Sequence, residues 1–368
     1  MFPRNPESTR EGRFRPTDSF QSLRFPTETA ILGLVNPNEP QIPALLDWSK
    51  RRIDYLRISV TDRCNERCLY CMPQGLKDWK EHSEILTYEE TLRVVRVAIR
   101  LGFRKFRVTG GEPLVRKDVV SFLEELGKLD GVDSFGLSTN ATLLAPVAER
   151  LRAAGIDSVN ISLDTLDPAT YERVTLRPLA QALEGIEAVR RLEFPRLKLN
   201  AVLMRGQSED QLLPLLRFAE ERGAILRFIE LMPVTTRTLL RPETFLSIGE
   251  ARKLIEKTVP LERDPEAKLG HGPAVYYRTP SGQRIGFIGA MTDLHFCESC
   301  NKIRLTSDGK IRPCLGSHLE FDLREILRSG GTDEDVIQLF GKTLGLKPKE
   351  HEFREDYTPN RSMTGIGG

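Results

Sequence analysis

The sequence predicts an α/β fold built on a parallel sheet, and three observations carry that reading. Six short, β-rich apolar runs recur between residues 56 and 231. A longer stretch with helical period separates most of them, and a polar or glycine-rich motif follows the carboxyl end of each run. Alternation at this spacing calls for parallel pairing through right-handed crossovers, giving either a doubly wound open sheet or a barrel-like curved sheet. In both architectures chemistry gathers beyond the carboxyl ends of the strands.

Residues 1–45 carry Arg4, Arg10, Arg13, Arg15 and Arg24 among scattered Pro, Ser and Thr without a sustained period, which predicts a disordered or loosely packed extension. An organellar transit peptide is the sharper alternative, and Glu7, Glu11 and Asp18 speak against it. The strand candidates then follow at 56–60, 105–109, 134–138, 158–163, 197–203 and 225–231. Thr87 with Glu90 forms a capping box ahead of a helix ending near Leu101, and Gly102 stops it. A helix over 145–154 is closed by Gly155. Asp167 before Pro168 reads as an N-cap with proline at the first helical position, and Ser208 with Gln211 as a further start. Past residue 240 a helix over 248–257 gives way to hairpin material, with tight-turn signals at 280–283 and 307–310. Two short helices fill 322–346. The expected division is a barrel-type unit over 46–239, a smaller auxiliary-cluster domain over 240–346, and a flexible tail over 347–368 ending in Gly-Gly.

Six cysteines fall into two groups of three. Cys64, Cys68 and Cys71 are separated by three and then two residues, directly after the first strand. Three close thiols cannot close a four-ligand site alone, so one position on a metal centre stays open. An iron-sulfur cube with one open iron fits this pattern. A structural zinc completed by a distant ligand such as His82 is the bland alternative. Cys297, Cys300 and Cys314 form the second group, and from spacing alone a zinc site completed by His295 or His318 competes with a second cluster. A reducing compartment favours metal ligation over disulfides.

The formal net charge of +2 in 368 residues leaves no overall footprint of a nucleic-acid binder. No window approaches the roughly 18 apolar residues of a membrane span, and the amino terminus lacks the apolar core of a secretory signal. A cytoplasmic enzyme with no nucleic-acid or membrane partner is expected. Arg57, Arg107, Lys198, Lys302 and Arg304 sit at strand ends or beside a cysteine. Singly each reads as solvated surface, but converging on one mouth they would suit a polyphosphate. Met232 reads as core on pattern alone.

The run Leu56-Arg-Ile-Ser-Val-Thr-Asp-Arg-Cys-Asn65 with Cys68-Leu-Tyr-Cys-Met-Pro73 resembles the radical S-adenosylmethionine signature. Together with Arg107-Val-Thr-Gly-Gly-Glu-Pro-Leu114, Asn160-Ile-Ser-Leu-Asp164, Phe228-Ile-Glu-Leu-Met-Pro233, Phe296-Cys-Glu-Ser-Cys-Asn-Lys-Ile-Arg-Leu-Thr306, Pro313-Cys-Leu315 and Gly367-Gly368, it resembles the GTP 3',8-cyclase family over residues 46–368. The resemblance implies a partial (βα)6 TIM-like barrel and a smaller C-terminal α+β part carrying a second cluster. It implies two 4Fe-4S clusters, one on Cys64, Cys68 and Cys71 and one on Cys297, Cys300 and Cys314. S-adenosylmethionine would chelate the open iron of the first and contact Tyr70, Gly111, Ser162 and Met232. Its cleavage would give a 5'-deoxyadenosyl radical that takes hydrogen from C3' of GTP before C8 is attacked. GTP would meet the open iron of the second cluster and contact Arg57, Arg107, Ser138, Lys198, Lys302 and Arg304. The glycine tail is expected in the active site, an electron donor protein is required, and a homodimer is expected. Lys302 stands where the family usually has arginine, Ser138 where it has threonine, and Ala141 follows Asn140 where glycine is common. A radical S-adenosylmethionine peptide maturase with an auxiliary cluster and a zinc-stabilised, non-catalytic binding protein are the competing readings.

Overall fold

The computed structural model describes residues 45–72, 79–234, 238–267, 269–355 and 357–368. The extension expected over 1–45 lies outside them except for Leu45. In chain order the elements are β1 (Tyr55–Ser59), α1 (Tyr88–Arg100), β2 (Lys105–Thr109), α2 (Val119–Gly127), β3 (Ser134–Thr139), α3 (Ala148–Ala153), β4 (Ser158–Ser162), α4 (Pro168–Thr175), α5 (Leu179–Arg191), β5 (Arg196–Leu203), α6 (Leu212–Glu221) and β6 (Ile225–Glu230). There follow α7 (Ile248–Glu256), β7 (Glu262–Arg263), β8 (Val275–Arg278), β9 (Arg284–Ile288), β10 (Lys302–Leu305), β11 (Lys310–Arg312), β12 (Phe321–Asp322), α8 (Leu323–Arg328), α9 (Asp333–Gly345) and α10 (Met363–Ile366). None of the described helices is long and apolar enough to cross a membrane.

Strands β1 to β6 lie side by side in sequence order, each parallel to the next. A doubly wound sheet reverses its strand order at a switch point, whereas sequential order is the winding of a barrel. The winding stops short of closure. β10 pairs parallel to the free side of β1, and β9 pairs parallel to the free side of β6. Residues beyond 240 therefore supply strands to both edges of the six-stranded unit, and the described strands form one sheet.

Side chains alternate along these strands, as the period of two requires. Leu56 and Ile58, Phe106 and Val108, Leu137, Val159 and Ile161, Leu199, and Leu226 and Phe228 are buried in one core together with apolar residues of the helices. Each such side chain adds about 1.5–3 kcal/mol when removed from water. The intervening positions are polar: Arg57, Arg107, Ser138, Asn160, Lys198 and Arg227 line the opposite, inner face. The register aligns Arg57 with Arg107 on one side and Arg304 on the other.

Local signals in the sequence hold at most helix ends. Thr87 and Glu90 form the reciprocal capping box of α1, and Gly102 follows at φ 100°. Asp167 caps α4 by accepting from Thr170 N. Ser208 is different: its hydroxyl accepts from Met204 N at 2.9 Å, and α6 begins at Leu212 after a short 3-10 turn. The serine was already committed to closing the preceding loop, so it does not cap the helix.

Candidate functional site

Topology puts the two cysteine groups at opposite ends of the barrel. The first follows β1, beyond the carboxyl ends of the parallel strands. Cys297 and Cys300 precede β10, which runs parallel to β1, so they sit at the amino ends. Cys314 returns to that end because β11 runs antiparallel to β10. A strand the length of β1 spans about 16 Å.

At the carboxyl end, the cysteine loop lies directly on the Gly-Gly-Glu turn after β2. Gly111 N donates to Thr61 O at 2.8 Å, and Glu112 N to Arg63 O at 2.9 Å. A Cβ at Gly111 would stand 2.3 Å from Arg63 O, so glycine is needed there for the turn to seat the loop. Glu112 is buried and accepts from Leu114 N, Thr139 Oγ1 and Asn140 N, which ties β2 to the end of β3. Tyr171 donates to Glu66 at 2.7 Å and Tyr70 donates to Asp164 at 2.8 Å. Burial holds the Glu66 and Glu112 carboxyls up to about 7 and that of Asp164 to about 6, against the pull of these hydrogen bonds. Burial, joined by Glu66, pushes Cys71 up to about 12, and burial and Glu66 push Cys68 up strongly. Burial and Glu112 also raise Cys64.

Three partly buried thiols beside the carboxyls of Glu66, Glu112 and Asp164 form a donor set without positive charge of its own. A polycationic iron centre fits it, because it stabilises the thiolates that this environment otherwise disfavours. Among the described residues no three His, Cys, Asp or Glu side chains converge on one ion-sized point. A cube does not ask for that, since each thiolate binds a different iron. His82 is exposed in the turn before α1.

The amino-end group sits in the wall of an internal cavity of about 280 Å³. Cys297, Cys300 and Cys314 share that wall with Arg57, Arg107, Arg196, Lys198, Arg227, Lys302, Arg304 and Lys347, and no Asp or Glu is among the described residues of the lining. Lys347 Nζ donates to Lys302 O at 2.9 Å and to Pro313 O at 2.6 Å, joining the two segments that carry the cysteines. Arg51 donates to Cys297 O at 3.0 Å from outside. Burial alone would raise the Cys300 thiol, but Lys347 and Lys302 bring it down to about 7. The two histidines that spacing offers for a zinc site, His295 and His318, are engaged elsewhere: His295 pairs with Glu298 at the surface, and His318 contacts Thr358 O.

The cations are crowded, and Arg107, Lys198, Arg227 and Arg304 are buried. Burial, then the like charges of Arg227, Arg107 and Arg196, hold the Lys198 ammonium down to about 6. Burial lowers Arg57 to about 10 and, with Arg57 beside it, Arg304 to about 9. Burial also lowers Lys302, which donates to His271 O at 3.1 Å and stands 5.5 Å from the Tyr55 ring centroid. The Lys198 ammonium makes no hydrogen bond or ion pair among the described residues. Arg107 is occupied: it donates to Tyr55 Oη at 2.7 Å, Leu137 O at 2.7 Å and Ser158 Oγ at 2.9 Å. Gly136 makes room for it, since a Cβ there would stand 2.4 Å from Arg107 Nη2.

Ser138 and Ser162 open onto the cavity from the carboxyl halves of β3 and β4. Met232 lines it as well and packs against Val234, Met291, Phe353 and Tyr357. Tyr70 and Gly111 lie outside its wall, on the cysteine loop side. The carboxyl-terminal glycines enter from α10. Arg57 Nη2 donates to Gly368 O, Arg304 Nη1 to Gly367 O, and Thr109 Oγ1 to Gly368 O at 2.6 Å. A Cβ at Gly367 would stand 2.7 Å from Ser59 Cβ, and its φ is 89°.

Sequence reasoning missed Arg196, Arg227, Lys347 and the carboxylate of Glu66. The first two carried a signal, since Arg196 and Lys198 alternate along β5 and Arg227 is in register with Asn200. Lys347 lies in a loop after α9 and carried none.

The family model described as the Radical SAM superfamily matches residues 58–219, and that described as Molybdenum Cofactor Synthesis C matches residues 224–353. Curated relatives named GTP 3',8-cyclase include one from Petrotoga mobilis, 40% identical over 88% of this chain and 100% of its own. One from Thermodesulfovibrio yellowstonii is 41% identical over 88% of this chain and 99% of its own. Among solved structures, Streptococcus suis SuiB bound to precursor peptide SuiA aligns with a TM-score of 0.54 at 18% identity, covering 73% of this chain and 62% of that one, which concerns the fold alone. With near-complete coverage of relatives that share one name, and a radical-type barrel whose two edges are completed by the carboxyl-terminal part, the chain belongs to the GTP 3',8-cyclase family.

Proposed function

We infer that this chain performs the reaction of its family, the radical cyclisation of GTP to (8S)-3',8-cyclo-7,8-dihydroguanosine 5'-triphosphate, the first step of molybdenum cofactor biosynthesis. The observation that carries the reading is the cavity itself, which has cations and three thiols in its wall and no described carboxylate. Such a wall suits a polyanion, and arginine forks suit its phosphates. Cys64, Cys68 and Cys71 would hold one 4Fe-4S cluster, with S-adenosylmethionine against Tyr70, Gly111, Ser162 and Met232. Cys297, Cys300 and Cys314 would hold the other. When bound and reduced, the first cluster with S-adenosylmethionine supplies the radical that removes hydrogen from the ribose.

The chain's own residues do the rest. Lys198, Lys302, Arg304 and Arg57 bind the triphosphate in a setting where charge attraction is little screened. Arg107, held by Tyr55, Leu137 and Ser158, keeps its charge fixed beneath them rather than reorganising during the reaction. Ser138 offers a hydroxyl at the carboxyl half of β3. The Gly367-Gly368 segment, gripped by Arg57 and Arg304, fills the space beside β1 and β2 and keeps water from the reacting ribose. The reducing cytoplasm would keep the thiols available for iron.

The test is anaerobic reconstitution followed by incubation with dithionite, S-adenosylmethionine and GTP. About eight irons per chain, 5'-deoxyadenosine and a cyclised GTP product are expected. A fully loaded protein that makes neither product overturns the reading.

A further inference from the structure

Three of the exposed large hydrophobic side chains of the described residues, Trp79, Leu143 and Leu176, are 39%, 37% and 45% exposed and surround the first cysteine loop. Direct contacts make them one face. Arg63 and Arg67 stand 5.7 and 5.0 Å from the Trp79 ring centroid. Arg67 N donates to Thr175 O at 2.8 Å, beside Leu176, and Arg177 Nε donates to Asn65 O at 2.7 Å. Asn65 Nδ2 in turn donates to Thr142 Oγ1 at 2.8 Å, beside Leu143.

Arg63, Arg67 and Arg177 form no ion pair with a carboxylate among the described residues. The carboxylate built into the loop, Glu66, is buried and turned inward onto Tyr171. Leu176 is exposed although it sits at φ 58°, a left-handed conformation that a leucine rarely adopts. Apolar side chains rimmed by unpaired cations, over a loop whose three cysteines are all partly accessible, have the composition of a transient docking patch.

We propose that this face docks a small acidic one-electron carrier protein, which reduces the cluster held by Cys64, Cys68 and Cys71. The proposal rests on the reading of that loop as the reducible site. The carrier gives up one electron and the cluster takes it. Arg63, Arg67 and Arg177 steer an acidic surface to the loop, and Leu143 and Leu176 exclude water from the contact. The amino-end cysteines are screened from this face by the length of the barrel.

The test uses the reconstituted full chain and a flavodoxin as the acidic probe. Binding is measured by calorimetry at low and high salt, and turnover is driven either by flavodoxin reduced beforehand and freed of excess reductant or by dithionite. Arg63→Glu, Leu143→Asp and Leu176→Asp are combined in one variant. Wild-type binding is expected to weaken with salt. The variant should bind flavodoxin at least about tenfold more weakly, and lose flavodoxin-driven turnover in proportion, while dithionite-driven turnover stays within about twofold. No flavodoxin binding by the wild type, or equal binding by the variant, overturns the proposal. So does a parallel fall in dithionite-driven turnover, which would mark the residues as supports of the loop. A change in the variant's oligomeric state with flavodoxin affinity unchanged overturns it in favour of a contact between two copies. Because binding is read without turnover, absence of GTP cyclisation alone would strike the function and leave the docking surface standing.

Discussion

Cys71 and Cys300 are both thiols in short loops at the mouths of one barrel. Burial and Glu66 push the first up to about 12, whereas at the second the same burial is outweighed by Lys347 and Lys302, which bring it down to about 7. The difference extends to whole neighbourhoods. Around the carboxyl-end loop lie Glu66, Glu112 and Asp164; around the amino-end loop lie lysines and arginines. Equal sets of three cysteines are thus prepared for different companions. The carboxyl-end surroundings favour groups bearing positive charge. The amino-end surroundings favour an anion.

The largest effect should come from emptying one end at a time. Cys71→Ala and Cys314→Ala are each expected to lose about half of roughly eight irons. Cys314→Ala should retain S-adenosylmethionine binding while losing GTP turnover, and Cys71→Ala should lose both. Iron analysis with equilibrium binding of S-adenosylmethionine checks this; equal losses in the two variants would erase the distinction between the ends.

Removing Gly367 and Gly368 should lower turnover on the order of 10²-fold, the scale of a mispositioned reaction geometry. Iron content should not change, because the two glycines are bonded by Arg57, Arg304 and Thr109 and not by the cysteine loops. Full activity in the shortened chain would show that the arginine contacts to the tail have no part in turnover.

A smaller and pH-dependent effect is expected at Lys198. Its folded pKa of about 6 lies below the ordinary 10.5, so the substrate-free protein holds it neutral at pH 7. A triphosphate beside it restores the charge, and GTP binding at pH 7 takes up a proton. Affinity therefore falls as pH rises above about 6, until the bound-state pKa is reached. Across the window from about 6 to 10.5 the unfolded chain binds more protons than the folded one, so this residue makes stability rise with pH. Lys198→Met should raise KM for GTP by about tenfold, abolish the proton uptake seen by calorimetry in buffers of different ionisation enthalpy, and flatten the rise of stability with pH. Unaltered proton uptake in the variant would assign the titration to another group.

The smallest effect belongs to Lys302→Arg. Lys302 already places its charge over Tyr55 and bonds His271 O. Exchanging a point charge for a planar fork should shift KM for GTP by no more than about threefold, with kcat unchanged. A large change in kcat would mean that the lysine acts on the reaction itself and not on phosphate binding alone.

The six strand positions were legible in the sequence to within a residue or two, because alternating apolar and polar side chains between helical periods leave little freedom of assignment. The cysteine spacing was equally legible, since short loops carry their ligands with them. Ser208 was misread as a helix cap because its competing partner, Met204 N, belongs to a tight turn that pattern does not reveal. Arg107 looked like a free cation and is bound on three sides by side-chain and backbone oxygens from three other strands.

By itself the sequence determined that strands and helices alternate, that two thiol trios exist, and that cations occur at alternating strand positions; these are local properties, encoded within a few residues. Only the tertiary structure decided that the trios face each other from opposite ends, because that depends on β10 pairing parallel to β1 across more than 240 residues of chain. It alone turned the cations inward around one cavity, and it alone added Glu112 and Asp164 to the neighbours of one trio and Lys347 to those of the other. Those three residues are distant in sequence from the thiols they face, and they meet them only when the strands are laid side by side.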